Sequence, residues 1–189
     1  MRVLNADELK LEKIPIIESI IDGAVFIYPT DTIYGIGCNA KISKSVRRIR
    51  QLKSRTTSPF SVIAPSVDWI KENCIISKEA EEWVDKLPGP YTLILKLKNA
   101  KCVTREINPG LDTLGVRIPN HWISRIVSEA EIPVVTTSVN KSNEDYMTSL
   151  EDLDPAIRKG VGFLVYEGPK EGRPSKIVDL TKETKVIER

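Results

Sequence analysis

The sequence predicts an α/β fold, a twisted open mixed sheet flanked by helices, and three observations predict it. Short β-branched or aromatic runs such as Ala24-Val25-Phe26-Ile27-Tyr28 alternate with stretches of helical period, the pattern of strands and helices in layers. Tyr91 to Lys98 instead alternates Leu93, Leu95 and Leu97 with Lys96 and Lys98, which marks a half-buried strand near an edge and a sheet that is not wholly parallel. The chain of 189 residues is long enough for one domain with a real core, and it shows no repeat, low-complexity tract or interdomain linker. Residues 1–189 therefore read as a single domain.

Taken in order, residues 11 to 22 place Leu11, Ile14, Ile17, Ile20 and Ile21 on one helical stripe, with Gly23 as the stop. The first strand, 24 to 28, runs into Pro29-Thr30-Asp31-Thr32-Ile33-Tyr34-Gly35-Ile36-Gly37. Hydroxyls and a carboxylate beyond a buried strand either close a turn or face a small polar ligand. Gly35-x-Gly37-x-x-Ala40 formally fits a dinucleotide fingerprint, but six residues separate it from the strand, and Thr57 to Ser66 holds no acid. Nicotinamide binding is excluded on that spacing.

Ser43 is the expected N-cap of a helix that turns Val46, Ile49 and Leu52 inward and arginine and lysine outward. Phe60 to Ala64 reads as a short buried strand. A helical turn follows around Trp69 and Ile70, then a helix from Lys78 to Leu87 that Pro88-Gly89-Pro90 cannot continue. Residues 101 to 112 are loop, Leu114 to Ile118 is a strand carrying Arg117, and 121 to 130 is helical. Pro133 to Thr137 is a strand, and a polar loop runs from Ser138 to Thr148. Thr148-Ser149-Leu150-Glu151 has capping-box spacing for a helix to Lys159. Gly162 to Tyr166 and Lys176 to Leu180 complete the strands.

A formal net charge of +2 gives no global field of the kind that drives nucleic-acid binding, although Lys41, Lys44, Arg47, Arg48, Arg50, Lys53 and Arg55 cluster. Three widely spaced cysteines, Cys38, Cys74 and Cys102, offer neither a disulfide framework nor a C-x-x-C site, which suits a reducing cytosol. The N-terminus is too charged for a signal peptide, and no apolar run reaches spanning length, so a cytoplasmic protein without membrane contact is expected. His121 is the only histidine, and no P-loop, H-E-x-x-H or EF-hand pattern is present.

Lys53-x-Arg55 lies where the basic helix runs out. Two cations there either cradle a phosphate chain or complement the helix dipole. Arg117 lies mid-strand between Val116 and Ile118, where a charge needs a partner: an internal acid, or a ligand carboxylate held bidentately. Ser138-x-Asn140-x-Ser142 follows a buried strand, a favoured ligand crevice in open α/β sheets.

The ordered set Tyr28-Pro29-Thr30-Asp31-Thr32-x-Tyr34-Gly35, Lys53-x-Arg55, Pro88-Gly89-Pro90-x-Thr92, Gly115-Val116-Arg117-x-Pro119 and Thr137-Ser138-x-Asn140 resembles the YrdC-type threonylcarbamoyl-AMP synthases. The resemblance runs from about residue 10 to the C-terminus. It implies a YrdC-like sheet with a concave, basic ligand surface. It implies a nucleotidyltransferase, an L-threonylcarbamoyladenylate synthase that makes threonylcarbamoyl-AMP and pyrophosphate from L-threonine, bicarbonate and ATP. The product serves N6-threonylcarbamoyladenosine modification of tRNA position 37, handed on to a tRNA threonylcarbamoyl transferase, with weak RNA or tRNA binding as a further expectation. By motif position, Thr32, Arg117, Ser138 and Ser175 contact threonine. Lys53, Arg55, Thr113, Asn140, Thr148 and Arg189 contact ATP, with Lys53 and Arg55 acting on the transferring phosphate. Mg2+ arrives with ATP, and no protein-ligated metal is implied.

This sequence departs from the family pattern at Thr56 and Met147, where proline is usual, at Asn143 for glycine and at Lys176 for threonine. Two alternatives stand beside this reading. One is a non-catalytic RNA-binding module of the same fold using the basic helix 41 to 55, which lacks aromatic residues for base stacking. The other is a related carbamoyltransferase domain, which usually needs further segments that this sequence does not supply.

Overall fold

A computed structural model describes residues 1–188. The chain begins with β1 (Arg2–Leu4), α1 (Ala6–Leu11), α2 (Lys13–Ile21), the hairpin β2 (Phe26–Tyr28) and β3 (Gly35–Gly37), and α3 (Ser43–Leu52). Then come β4 (Ser61–Ile63), α4 (Val67–Asn73), α5 (Lys78–Val84), β5 (Tyr91–Lys96), β6 (Thr113–Arg117), α6 (Ile123–Ala130) and β7 (Val134–Ser138). It ends with α7 (Pro155–Gly160), β8 (Phe163–Val165), β9 (Lys176–Asp179) and β10 (Lys185–Ile187). The strands make one mixed sheet in the order β1-β8-β2-β3-β7-β4-β6-β5-β9-β10. Parallel pairs (β1/β8, β2/β8, β4/β6, β5/β9) are interleaved with antiparallel ones, as the alternation of β5 implies.

Strand alternation sorts the apolar side chains into two cores. Ile27, Ile36, Val62, Leu93, Leu95, Leu114, Val116, Val135, Leu164 and Val178 point to one face and pack under Val46, Ile49 and Leu52 of α3 and Ile157 of α7. On the other face Phe26, Tyr28, Ile63, Val134, Phe163 and Val165 meet Leu9, Ile16 and Ile20 of α1 and α2 and Ile123, Ile126 and Val127 of α6. That second helical layer covers only the part of the sheet around β8, β2, the start of β7 and the end of β4.

Several expectations need correction. Of the stripe read over residues 11 to 22, Ile20 is buried and Ile17 packs against the core, but Leu11 and Ile14 are 86% and 71% exposed. Pro15 is the reason: a proline removes an amide donor and crowds the preceding turn, so the helix breaks at Glu12, and Leu9 of α1 and Ile16 of α2 join Ile20 in the core. Thr148 does not cap a long helix. Asp152 Oδ2 accepts hydrogen bonds from the amides and hydroxyls of Thr148 and Ser149, which closes a turn. The helix begins later, with Asp154 as N-cap and Pro155 in its first turn. Ser43 is the first residue of α3, not its cap, and its hydroxyl donates to Glu106 at 3.0 Å. The short strands β1, β3 and β10 lie outside the sequence-based elements.

Candidate active site

Past the edge of the α1/α2/α6 layer, loops rather than helices lie over the sheet face. The residues pointing out of it are Thr136 and Ser138 of β7, Ser61 of β4, Thr113, Gly115 and Arg117 of β6, Thr92 and Ile94 of β5, and Ile177 and Asp179 of β9. Register brings Thr136, Ser61, Gly115, Ile94 and Asp179 into one row across five strands. Small and hydroxyl-bearing residues dominate the row, so it forms a floor. A Cβ on Gly115 would stand 2.5 Å from Ser61 Oγ and fill it.

Three hollows open along this floor. The first is lined by Thr30, Arg117, Thr136, Ser138, Tyr146 and Ser175 among others. The second is lined by Lys53, Arg55, Ser138, Asn140, Ser142 and Asn143 among others. The third runs past Phe60, Ile94, Leu111, Thr113, Ile177 and Asp179. Arg55 lines all three, and Ser138 lines the first two.

Arg117 is 5% exposed, and its partner is an internal acid: Nη2 donates to Asp31 Oδ1 at 2.7 Å and to Thr32 Oγ1 at 3.4 Å. The β2–β3 hairpin loop delivers both. Thr30 Oγ1 donates to the Ile33 carbonyl at 2.7 Å and accepts the Thr32 amide at 3.1 Å, closing a hydroxyl turn that presents Asp31 and Thr32 towards β6. The other Asp31 oxygen accepts the Asn120 amide at 2.9 Å. The hairpin sits tightly on β7, since a Cβ on Gly37 would fall 2.2 Å from the Val135 carbonyl oxygen. Gly35 and Gly37 therefore serve close strand packing.

Lys53 caps α3 from inside. Its ammonium donates to the Ser138 carbonyl, and to the Asn140 carbonyl and side-chain oxygen at 2.8 and 2.9 Å. Its own carbonyl accepts from the amide and hydroxyl of Ser142 at 2.9 and 3.1 Å. Asn140 Oδ1 also accepts Ser138 Oγ at 2.6 Å, so one bracket fixes Lys53, Ser138 and Asn140. Burial, then the charge of Arg55, pulls the Lys53 ammonium down to a pKa of about 7. The next residue, Ser54, has φ 49°. The amides of Ser54 and Arg55 bond back to Gln51 and Arg50, a Schellman turn that aims residues 53 and 55 into the same space. Arg55 donates to the Pro59 carbonyl at 2.6 Å and lies 5.0 Å over the Phe60 ring.

The segment between β8 and β9 straps the first hollow. Tyr34 hydroxyl donates to the Gly168 carbonyl at 2.7 Å, Tyr146 hydroxyl to the Gly172 carbonyl at 3.2 Å, and Ser175 shares a 2.7 Å hydroxyl pair with Thr92. Gly172 presses on the hairpin so closely that a Cβ would lie 2.1 Å from the Thr32 carbonyl oxygen.

The sequence matches the family described as Telomere recombination (Sua5/YciO/YrdC) over residues 18–189. The chain belongs to that family. A Methanocaldococcus jannaschii relative is 32% identical over 97% of this chain and 87% of its own length. The threonylcarbamoyl-AMP synthase of Pyrococcus abyssi is 31% identical over 90% of this chain, which spans 51% of that protein. The structure of P. abyssi Sua5 complexed with L-threonine aligns with a TM-score of 0.84 at 28% identity, covering 97% of this chain and 55% of that one.

Within this Sua5/YciO/YrdC frame, the fold brings most of the expected site residues together. Arg117, Ser138 and Ser175 line the first hollow, and Thr32 reaches it through Arg117 and the Thr30 hydroxyl at 3.0 Å. Lys53, Arg55 and Asn140 line the second, and Thr113 the third. Thr148 lines none of the three and is bonded to Asp152. Arg189 lies outside the described residues. Asn143, at the family's usual glycine, has φ 69°, a region asparagine enters more readily than most residues. Lys176 pairs at 2.7 Å with exposed Glu188. The sequence reading missed Tyr146, Ser61 and Asp179, whose only signal is that strand alternation aims the last two at the face the helices leave uncovered. Among the described residues, no helix is long and apolar enough to cross a membrane.

Proposed function

We propose that this chain is an L-threonylcarbamoyladenylate synthase, a nucleotidyltransferase whose catalytic domain is residues 1–189. The observation that carries the reading is Arg55: one guanidinium borders a hydroxyl-rich hollow containing Arg117, a cationic hollow containing Lys53, and a more apolar one containing Thr113. Those suit, in turn, an amino acid, a phosphate chain and a nucleoside.

In this reading L-threonine sits in the first hollow, its carboxylate on Arg117 and its hydroxyl among Thr32, Ser138 and Ser175. A site that hydrogen-bonds a substrate hydroxyl rejects the isostere lacking it far better than an apolar pocket rejects an added group. ATP occupies the second and third hollows, its phosphates between Lys53, Arg55 and Asn140. Threonine's amine and bicarbonate give the N-carboxylate and water. A carboxylate oxygen of that group attacks the α-phosphorus, and pyrophosphate leaves with the electron pair of the broken P–O bond. The nucleophile belongs to the substrate, so the protein supplies proximity and positive charge. Mg2+ would enter with the nucleotide and offset the charge of its phosphates, beside the hydroxyl and amide groups that line the second hollow. The product passes to a tRNA threonylcarbamoyl transferase. The names carried by the relatives support this reading over a carbamoyltransferase or a non-catalytic RNA module.

Incubation with ATP, bicarbonate and each amino acid in turn, followed by pyrophosphate, tests it. Release that requires bicarbonate and is greatest with threonine supports the reading, and release indifferent to the amino acid overturns it.

A further inference from the structure

Among the described residues, Asp179 is the one carboxylate that lines any of the three hollows. A polyanion repels it, so its place beside a nucleotide site calls for a reason. The sheet register supplies geometry: Asp179 lies opposite Ile94, Ile94 opposite Gly115, and Gly115 opposite Ser61. Three strand spacings, about 14 Å, separate Ser61 from Asp179 along the row. Arg55 stands at the Ser61 end, against Pro59 and Phe60. Between them the floor is low at Gly115 and apolar at Ile94 and Ile177, and Leu111 stands 48% exposed at the rim. That is a slot for a flat, partly apolar group whose phosphate end is at Arg55 and whose far end meets a carboxylate.

One Asp179 oxygen, Oδ1, is engaged by Thr181, accepting its hydroxyl at 2.7 Å and its amide at 3.0 Å. This fixes the side chain's direction at the end of β9. We propose that Asp179 is a specificity residue: its carboxylate accepts a hydrogen bond from a donor on the nucleoside, and thereby sets which nucleotide the slot holds. The inference rests on the nucleotide reading above and adds to it the group that reads the nucleoside. Two donors share this chemistry, the ribose hydroxyls and an exocyclic amine of the base.

Calorimetry with ATP, 2′-deoxy-ATP, 3′-deoxy-ATP and the analogue lacking the 6-amino group separates them, using the whole chain and its Asp179→Ala and Asp179→Asn variants. The asparagine keeps an acceptor for Thr181 and so holds the turn. A charged hydrogen bond lost is worth tenfold or more in affinity, about 1.5–3 kcal/mol. The expected result is that wild type binds ATP at least tenfold tighter than one of the three analogues, and that Asp179→Ala binds the two alike. Unchanged ratios in both variants, with melting alone affected, overturn the assignment and leave Asp179 as a turn residue. Wild type that binds no nucleotide overturns the assignment together with the reading beneath it.

Discussion

Arg117 and Asp31, 86 residues apart in sequence, meet at 2.7 Å with side chains only 6% and 11% exposed. A cation so placed is held by its acid before any ligand arrives, and the acid in turn is held by the backbone of residue 120. Arg117→Ala therefore has two effects. Turnover falls below detection, because in the proposed function the carboxylate of threonine loses its partner. Stability falls by about 3 kcal/mol or more, because a buried carboxylate is stranded. Removing the acid as well, in Asp31→Ala with Arg117→Ala, recovers much of the melting temperature and none of the activity. Thermal melts beside pyrophosphate release check this; a single variant that melts normally contradicts the stranded-charge account.

With the nucleotide's phosphates beside Lys53, as proposed above, binding has a pH dependence. The Lys53 ammonium, drawn down to about 7, is partly deprotonated at neutral pH, and phosphate oxygens favour the charged form. Nucleotide binding raises that pKa, so it takes up a proton. Affinity for ATP without threonine is then highest below pH 7 and declines by up to tenfold per unit above it, within the range where the bound form stays protonated. Calorimetry at pH 8 in buffers of different ionisation enthalpy reads the proton directly, and Lys53→Met abolishes the uptake.

Ser54 occupies a left-handed position with φ 49°, where glycine is the favoured residue. Ser54→Gly relieves about 1 kcal/mol of backbone strain, equivalent to a rise of about 2–4 °C in melting temperature for a chain of this size. The turn already aims residues 53 and 55 correctly, so kcat stays unchanged. Differential scanning calorimetry and a kinetic comparison decide it.

Gly172→Ala acts where the strap meets the hairpin. The new methyl meets the Thr32 carbonyl oxygen at 2.1 Å, a contact with backbone that only a shift of the strap or the hairpin can relieve. The expected outcome is a KM for threonine raised about tenfold with little change in the KM for ATP, since the strap's Pro174 and Ser175 line the first hollow and neither of the other two. Equal rises in both would place the strap's influence elsewhere.

Much of this was legible in the sequence, for identifiable reasons. Runs such as Ala24 to Tyr28 and the alternation of β5 report burial directly, because a strand's period is visible in a few residues. Lys53, Arg55, Arg117, Ser138 and Asn140 stood out as polar groups at the ends or middles of apolar elements. Strands of three residues such as β1 and β10 carry too few positions to show a period. The break at Glu12 was hidden because the apolar spacing runs on through Pro15. Asp179 was invisible as a site residue because its role depends on which half of a sheet face the helices leave bare, a tertiary property. Thr148 shows the converse: its capping-box spacing was real, but Asp152 took both hydroxyls and amides first.

The guanidinium of Arg55 borders three compartments at once. Filling any one of them with an anion changes the field felt in the other two, so the occupants are thermodynamically linked. By reciprocity, whatever factor the nucleotide imposes on the amino acid's affinity, the amino acid imposes equally on the nucleotide's.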